Sequence, residues 1–244
     1  MTIADERRGR ISGPAGVSGR SVLAVLGLWI GGSAVLATAG YLATQRLAAQ
    51  DAEAPTLVAV FIAFGSLPFA ALVVFGARGM REHLAVRAPA GRQLGLGLLV
   101  GLVVLAVAAL VYGAIGAAGG DLAGPALELV RDATDLSRFA TATPLDWALI
   151  IPRALILAGV AEELLFRGIL FGWLARHLPV WAVILVTAAL FAAEHAYYPV
   201  LLPVAALFGI GAGWLRARTN TIVPGLAAHI LVDGAFFLIA LRVA

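Results

Sequence analysis

The sequence lacks cysteine altogether, and only 13% of its residues are Asp, Glu, Lys or Arg. The absence of cysteine excludes disulfide bonds, a thiolate nucleophile and cysteine-based zinc or iron–sulfur sites. The charged fraction is about half of the roughly 25% that a soluble domain contains. A water-soluble fold of 244 residues needs more polar surface than this chain supplies. The composition therefore predicts a protein that folds in a lipid bilayer.

Long apolar runs account for the low charge. Residues 21–45, 54–77 and 93–120 contain no Asp, Glu, Arg or Lys, and each run exceeds the roughly 20 residues that cross the hydrocarbon core as an α-helix. The first run follows a basic tail, as in a secretory signal, but it stays apolar beyond Ala39, so we predict a retained membrane anchor. These runs predict three transmembrane helices.

The second half of the chain is also apolar, but charged residues interrupt its runs. Together with the first three runs, these stretches predict an all-α polytopic transmembrane helical bundle of about seven spans, between six and eight. The apolar stretches cover about 147–175, 179–198, 199–215 and 221–241. The expected organisation is a basic cytoplasmic tail over 1–20, three transmembrane helices without motif over 21–120, an extracytoplasmic polar loop over 121–146 and a membrane-embedded core over 147–244.

Arginine is unevenly distributed between the two sides that these spans predict. The N-terminal tail, the loop over 78–92 and the loops around Arg176 and Arg216 carry most of the 17 basic residues. Because positively charged loops stay on the cytoplasmic side, we predict a cytoplasmic N-terminus and an integral protein of the bacterial cytoplasmic membrane. The same bias accounts for the net charge of +3, so we expect no nucleic-acid partner.

Four charged residues interrupt the run over 147–175, and they are Arg153, Glu162, Glu163 and Arg167. A charge near the centre of a spanning helix costs roughly 2.5–3.5 kcal/mol on insertion scales, so other groups of the protein must receive it. Glu163 and Arg167 are four residues apart and would pair directly on a helix. Glu162 projects from another face, where it is suited to act as a general base or acid. The alternative is that both glutamates bind the two arginines as a structural cluster.

Two histidines lie inside later predicted spans. His195 has Phe191 four residues before it on the same helix face. His229 has Asp233 four residues after it, close enough for the carboxylate to orient the imidazole. Counted from the predicted cytoplasmic helix ends at about 1.5 Å per residue, Glu162, His195 and His229 all lie roughly 15–22 Å deep, near the bilayer midplane. A single interior histidine is usually structural, but three helices that bring polar groups to one depth predict a shared site.

These residues form three short motifs in a fixed order on successive predicted helices. The motifs are Glu162-Glu163-xxx-Arg167, Phe191-xxx-His195 and His229-xxx-Asp233. Their combination resembles the CPBP family of CAAX-protease and bacteriocin-processing membrane proteins, also called the Abi family, which includes the Ras-converting CAAX endopeptidase. The resemblance covers about two-fifths of the chain, and the first three predicted helices carry no signature of the family.

The resemblance implies an intramembrane endopeptidase of the glutamate type, which uses no covalent intermediate and no cofactor. Its substrate would be a membrane-associated peptide or protein, and the core over 147–244 would be catalytic. By motif position, Glu162 and His195 would activate a water molecule for attack on the scissile carbonyl. His229 and Asp233 would stabilise the oxyanion.

Three further motif residues would support these groups by the same resemblance, and they are Glu163, Arg167 and Phe191. Asp233 departs from the endopeptidase branch, which has Asn at this position. Because an ionised carboxylate cannot donate a hydrogen bond to an oxyanion, Asp233 would instead orient His229 and stabilise its charged form, or act while protonated. This difference also weakens the transfer of CAAX specificity to the chain.

Two other interpretations remain open. One is a zinc-dependent membrane protease, although the sequence has no HExxH motif. The other is a non-catalytic membrane immunity or scaffold protein, in which the polar residues serve packing or partner binding. The feasible zinc ligands are the same four residues, Glu162, His195, His229 and Asp233.

Overall fold

The computed structural model describes residues 17–47, 54–118, 156–196 and 199–243. Within these ranges the chain forms seven helices and no strand, which confirms the predicted all-α fold class. Most of the predicted tail, the predicted loop over 121–146 and Arg153 lie outside the described residues. The first three helices coincide with the charge-free runs and are α1 (Gly19–Leu47), α2 (Ala54–Glu82) and α3 (Gly91–Ala117).

Four helices follow, one for each interrupted apolar run. Helix α4 is continuous but changes geometry along its length, with α-helix over Ala158–Glu163, a π-helical stretch over Leu164–Leu170 and a last α-helical turn over Phe171–Leu174. The helix after it ends directly before His195, so it is shorter than the predicted run over 179–198. The remaining elements are α5 (Val180–Glu194), a 3-10 turn (Pro199–Leu201), α6 (Leu202–Thr219) and α7 (Val223–Val243).

Two of the described helices are long and apolar enough to cross a membrane, over Gly19–Leu36 in α1 and Gly91–Ala114 in α3, while the apolar segments of α5 and α7 are shorter. Many large apolar side chains point outward, among them Leu23 and Leu110, each 72% exposed. Such side chains are stable on an outer surface where lipid is the solvent. The helices therefore support a membrane protein, and the side on which the N-terminus lies stays a prediction.

Helix α2 is interrupted at Gly76, where φ is 65° and ψ is 173°. Positive φ values strain residues that carry a Cβ atom, so glycine is suited to this position. The interruption separates the apolar part of α2 from a polar end, where Arg78 Nε lies 2.7 Å from Glu82 Oε1. The helix thus extends beyond the predicted run over 54–77, and its last residues belong to the basic end of the molecule.

Helix α4 lies between two apolar cores. On one side it packs against α2, and Val25, Leu67 and Leu164 belong to this core. On the other side α3, α5, α6 and α7 contribute to a second core, which includes Phe166 and Phe208. Because α4 contacts α2, α5, α6 and α7, its polar side chains are shielded from lipid by protein.

Two glycines allow the helices around α4 to approach one another closely. A Cβ atom on Gly209 of α6 would lie 2.8 Å from Ala188 Cα of α5. A Cβ atom on Gly101 of α3 would lie 3.2 Å from the carbonyl oxygen of Ala228 of α7. Small residues at helix crossings allow backbone to contact backbone in membrane bundles. These two crossings hold the helices that carry the predicted histidines.

Candidate active site

The charged residues of α4 lie where the helix changes from α to π geometry. Glu162 and Glu163 end the α-helical part, and Arg167 lies in the π-helical stretch. A π-helical turn is rare and is frequent at functional sites. The sequence did not indicate this stretch, because the spacing argument assumed an α-helix throughout.

Glu163 and Arg167 form the predicted ion pair. Arg167 Nη1 lies 2.8 Å from Glu163 Oε1, and both side chains are 0% exposed. Arg167 Nη2 also donates to the carbonyl oxygen of Gly209, at 3.3 Å, and the guanidinium carbon lies 4.6 Å from the ring centroid of Phe191. A buried pair needs such additional partners, because both charges lose their hydration. The predicted pairing is confirmed.

His229 lies among three carboxylates. Its Nδ1 atom is 3.4 Å from Glu163 Oε1. Its Nε2 atom is 3.6 Å from Glu162 Oε2 and 3.5 Å from Asp233 Oδ2. The predicted closeness of His229 and Asp233 is confirmed. Glu162, which is expected to share a water molecule with His195, also faces His229.

His195 is the first residue after α5, whereas the apolar run had placed it inside a span. Its Nδ1 atom lies 2.9 Å from the carbonyl oxygen of Phe191. Because a carbonyl oxygen only accepts hydrogen bonds, Nδ1 donates in this contact. In a neutral imidazole of this tautomer, Nε2 carries the lone pair and can accept a proton.

Phe191 connects His195 with the groups around His229. Its ring centroid lies 4.8 Å from that of His195 and 5.8 Å from that of His229. Asp233 lies within electrostatic range of both histidines. The close approach of Glu162 is to His229, while His195 reaches the cluster across the Phe191 ring.

Several buried polar atoms of the cluster have no hydrogen-bond partner among the described residues, namely Glu162 Oε2, Glu163 Oε2 and Arg167 Nε. Such atoms are rare in folded proteins, because the loss of hydration is costly. The Glu162 and Asp233 side chains are 12% and 29% exposed, so the cluster opens on the side where these carboxylates lie. Glu162 Oε2 is itself buried, in a side chain that is partly exposed at this opening.

Three further residues also shape the cluster. A Cβ atom on Gly225 of α7 would lie 2.7 Å from Glu163 Oε2, so glycine is needed where the carboxylate meets this helix. The ring centroid of Phe208 lies 4.6 Å from that of His229, and Gly209 supplies its carbonyl to Arg167. Their contacts with the cluster appear only where α4, α6 and α7 meet.

The described residues contain no group of three or more His, Asp or Glu side chains arranged to hold a metal ion. His229 Nε2 lies 3.6 Å from Glu162 Oε2 and 3.5 Å from Asp233 Oδ2. Such distances suit hydrogen-bonded or charged pairs with modest rearrangement. The zinc interpretation stays a prediction that chelation tests.

The fold and the cluster together define a class of protein, a helical membrane protein with a buried carboxylate–histidine site. Residues 144–235 match the family model described as type II CAAX prenyl endopeptidase Rce1-like, and this range contains every predicted site residue. The match supports the assignment of this part of the chain to the CPBP/CAAX-protease family, a family of membrane proteases. Neither the curated proteins nor the solved structures show a significant match to the chain.

Proposed function

We propose that the chain is an intramembrane endopeptidase of the CAAX-protease type, which hydrolyses a peptide bond in a membrane-associated peptide or protein. The observation that carries the proposal is the position of His229 among three carboxylates. Glu163 lies on the Nδ1 side of the ring, and Glu162 and Asp233 lie on the Nε2 side. The family match over 144–235 supports peptidase chemistry at this cluster.

Glu162 and His195 activate the attacking water molecule in the proposed reaction. Glu162 Oε2 is buried without a donor among the described residues, and His195 Nε2 keeps a lone pair, so both groups are suited to accept a proton. The water oxygen bonds to the scissile carbonyl carbon. The abstracted proton then passes to the leaving amine as the carbon–nitrogen bond breaks.

His229 stabilises the negative charge that develops on the carbonyl oxygen, and Asp233 acts through His229. The N–H group at His229 Nε2 donates a hydrogen bond to the oxyanion. In many acyl-transfer enzymes, stabilisation of the oxyanion is the largest single contribution to catalysis. Asp233 Oδ2, 3.5 Å from that nitrogen, orients the ring. We assign Asp233 this orienting role because an ionised carboxylate is only an acceptor.

Glu163 and Arg167 support His229 from the opposite side of the ring. Glu163 Oε1 lies 2.8 Å from Arg167 Nη1 and 3.4 Å from His229 Nδ1, so one oxygen connects the guanidinium with the imidazole. A partner on one ring nitrogen fixes the orientation of the other. Phe191 supports His195 in the same way through its carbonyl oxygen.

The proposed setting is the cytoplasmic membrane of a bacterium, with the N-terminus in the cytoplasm and no resident cofactor. Prenylated CAAX peptides are the substrate that the name of the matched family indicates. Asp233 stands at the position where the endopeptidase branch has Asn. The test therefore also covers membrane-associated substrates of other kinds.

The test compares membrane proteins from cells that express the wild-type chain or the Glu162→Gln variant. We expect a peptide or protein that is cleaved only in wild-type cells, because an amide in place of the Glu162 carboxylate cannot accept the proton from water. Glu82→Gln is the matched control, since Glu82 is bound to Arg78 at the polar end of α2. Purified protein with a farnesylated CAAX peptide tests the substrate that the family name indicates.

Two outcomes favour the other interpretations. If Glu162→Gln and His195→Ala accumulate like wild type and leave all processing unchanged, the protein is not a protease that uses these residues. If exhaustive chelation abolishes cleavage and zinc restores it, the zinc-dependent interpretation holds. Activity that persists in metal-free protein supports direct activation of water by Glu162 and His195.

A further inference from the structure

A buried arginine outside the three motifs holds the backbone of α4 behind the cluster. Arg216 of α6 is 7% exposed. Its Nε atom donates to the carbonyl oxygen of Arg167 at 3.1 Å, and its Nη1 atom donates to Asn220 Oδ1 at 3.0 Å. The guanidinium carbon lies 5.3 Å from the ring centroid of Phe171. These hydrogen bonds go to neutral oxygens, although a carboxylate is the stronger partner for a guanidinium.

The carbonyl of Arg167, which accepts the hydrogen bond from Arg216, lies in the π-helical stretch. In a regular α-helix the amide of Phe171 would donate to Arg167, four residues earlier. Here the Phe171 amide donates to the carbonyl oxygens of Gly168 and Phe166. The Phe171 amide therefore does not donate to the carbonyl of Arg167, whereas Arg216 Nε does.

The turn that Arg216 holds also carries the groups that orient His229. The Arg167 side chain lies 2.8 Å from Glu163, and the same Glu163 oxygen lies 3.4 Å from His229 Nδ1. We propose that Arg216 is a positioning residue for His229, which acts through Arg167 and Glu163. The catalytic consequence rests on the proposed function, whereas the contacts themselves do not.

Asn220 fixes the other end of the Arg216 side chain. It follows the last residue of α6 in a left-handed conformation, with φ 53° and ψ 30°, and its amide donates to the carbonyl oxygen of Arg216 at 3.1 Å. Three residues later α7 begins at Val223 and leads to His229. One guanidinium thus ties α4 to the turn between α6 and α7, and this turn sets where His229 enters the cluster.

Four variants separate positioning from general stabilisation. Arg216→Met keeps the length of the side chain and removes all donors, while Arg216→Lys keeps the charge without the planar fork. Asn220→Gly preserves the left-handed backbone and removes the acceptor for Arg216. Arg92→Met is the matched control, because Arg92 is an exposed arginine at the start of α3.

The first measurement needs no substrate. The protein contains four histidines. ¹⁵N NMR of histidine-labelled protein in detergent reports the protonation and hydrogen bonding of each ring. The His229 signals are assigned as those that disappear in the His229→Gln variant. We expect Arg216→Met to change the ¹⁵N chemical shifts of the His229 ring, and we expect Asn220→Gly to change them less. Arg92→Met leaves them at their wild-type positions.

The second measurement is cleavage of the substrate that the proteomic comparison identifies. We expect kcat of Arg216→Met to fall about tenfold or more with KM nearly unchanged, because small misplacements of a reacting group cost this much. Arg216→Lys recovers part of the loss, since one donor still reaches the carbonyl of Arg167. Arg92→Met retains the wild-type kcat.

The proposal is overturned if Arg216→Met folds and leaves both the His229 signals and kcat at wild-type values. A lower Tm without those two changes means that Arg216 only stabilises the fold, which also overturns it. If Arg216→Met does not fold, Arg216→Lys and Asn220→Gly decide by the same two criteria. If the wild-type chain cleaves nothing, the proposed function fails, and the His229 signals still decide the role of Arg216.

Discussion

At the scale of single residues, Glu163 explains how this apolar chain accommodates its charges. One of its carboxylate oxygens meets both Arg167 and His229, and the other lies against the backbone of α7 at Gly225. The carboxylate is therefore enclosed on three sides by groups from two helices. A change at any of these contacts moves the partner of His229 Nδ1, so Gly225 is as sensitive a position as the charged residues.

Gly225→Ala is expected to lower both stability and activity. The new Cβ atom would lie 2.7 Å from Glu163 Oε2, and relief of such an overlap costs roughly 1–3 kcal/mol. Thermal unfolding in detergent measures the change. Gly234→Ala on the same helix is the control, because no atom lies within 4 Å of its new Cβ atom. Equal unfolding midpoints for the two variants would contradict the prediction.

At the scale of elements, the site depends on how closely α5 and α6 approach. Helix α5 ends at Glu194 and presents His195 at its end, while α6 supplies Gly209 and Arg216 to the back of α4. The crossing of α5 and α6 at Gly209 leaves no space for a side chain. The close approach at Gly209 is thus one of the contacts on which the position of His195 relative to Arg167 depends.

Gly209→Ala is expected to separate α5 from α6 and to weaken the hydrogen bond from Arg167 to the Gly209 carbonyl. The new Cβ atom would lie 2.8 Å from Ala188 Cα, and the backbone on both sides must shift at a cost of roughly 1–3 kcal/mol. Unfolding midpoints and cleavage rates measure the effect. Gly95→Ala in α3, where the added Cβ atom meets nothing within 4 Å, should behave as wild type; a similar loss in both would refute the interpretation.

At the scale of the whole molecule, the helices differ in their surroundings. Helices α1 and α3 present large apolar side chains outward, such as Leu23 and Leu110, whereas α4 contacts other helices on several sides. This distribution is that of a bundle in lipid whose charged helix is internal. The arginines over 78–92 and those in the last turn of α6 lie on the same side of the predicted spans. This bias is the basis of the predicted orientation.

The absence of cysteine makes the orientation directly measurable. With Arg92→Cys as the single cysteine, a membrane-impermeant maleimide is expected to react only after the cytoplasmic side is made accessible, because this end of α3 is predicted to be cytoplasmic. A single cysteine at Ser137→Cys, in the predicted extracytoplasmic loop, should react in intact spheroplasts. The reverse labelling pattern would show that the predicted orientation is wrong.

Contacts between residues close in the sequence could be predicted, whereas helix ends and contacts between different helices could not. The pairing of Glu163 with Arg167 and the closeness of His229 and Asp233 follow from a separation of four residues, because that spacing places side chains on one helix face. The end of α5 before His195 and the π geometry around Arg167 did not follow, because an apolar run does not mark where a helix ends or widens. The contact of Glu162 with His229 joins two helices and has no local signal.

The sequence by itself determined that this protein is a helical bundle in a membrane and which residues form its polar motifs, because composition and short spacings are properties of the chain. Only the tertiary structure decided which carboxylate meets which nitrogen of His229, why Gly225 and Gly209 lack side chains, and that Arg216 reaches the carbonyl of Arg167. These relations connect residues that are far apart in the chain, and packing between helices sets their distances. The few charged residues of the second half therefore form the proposed site only where α4 packs against α5, α6 and α7.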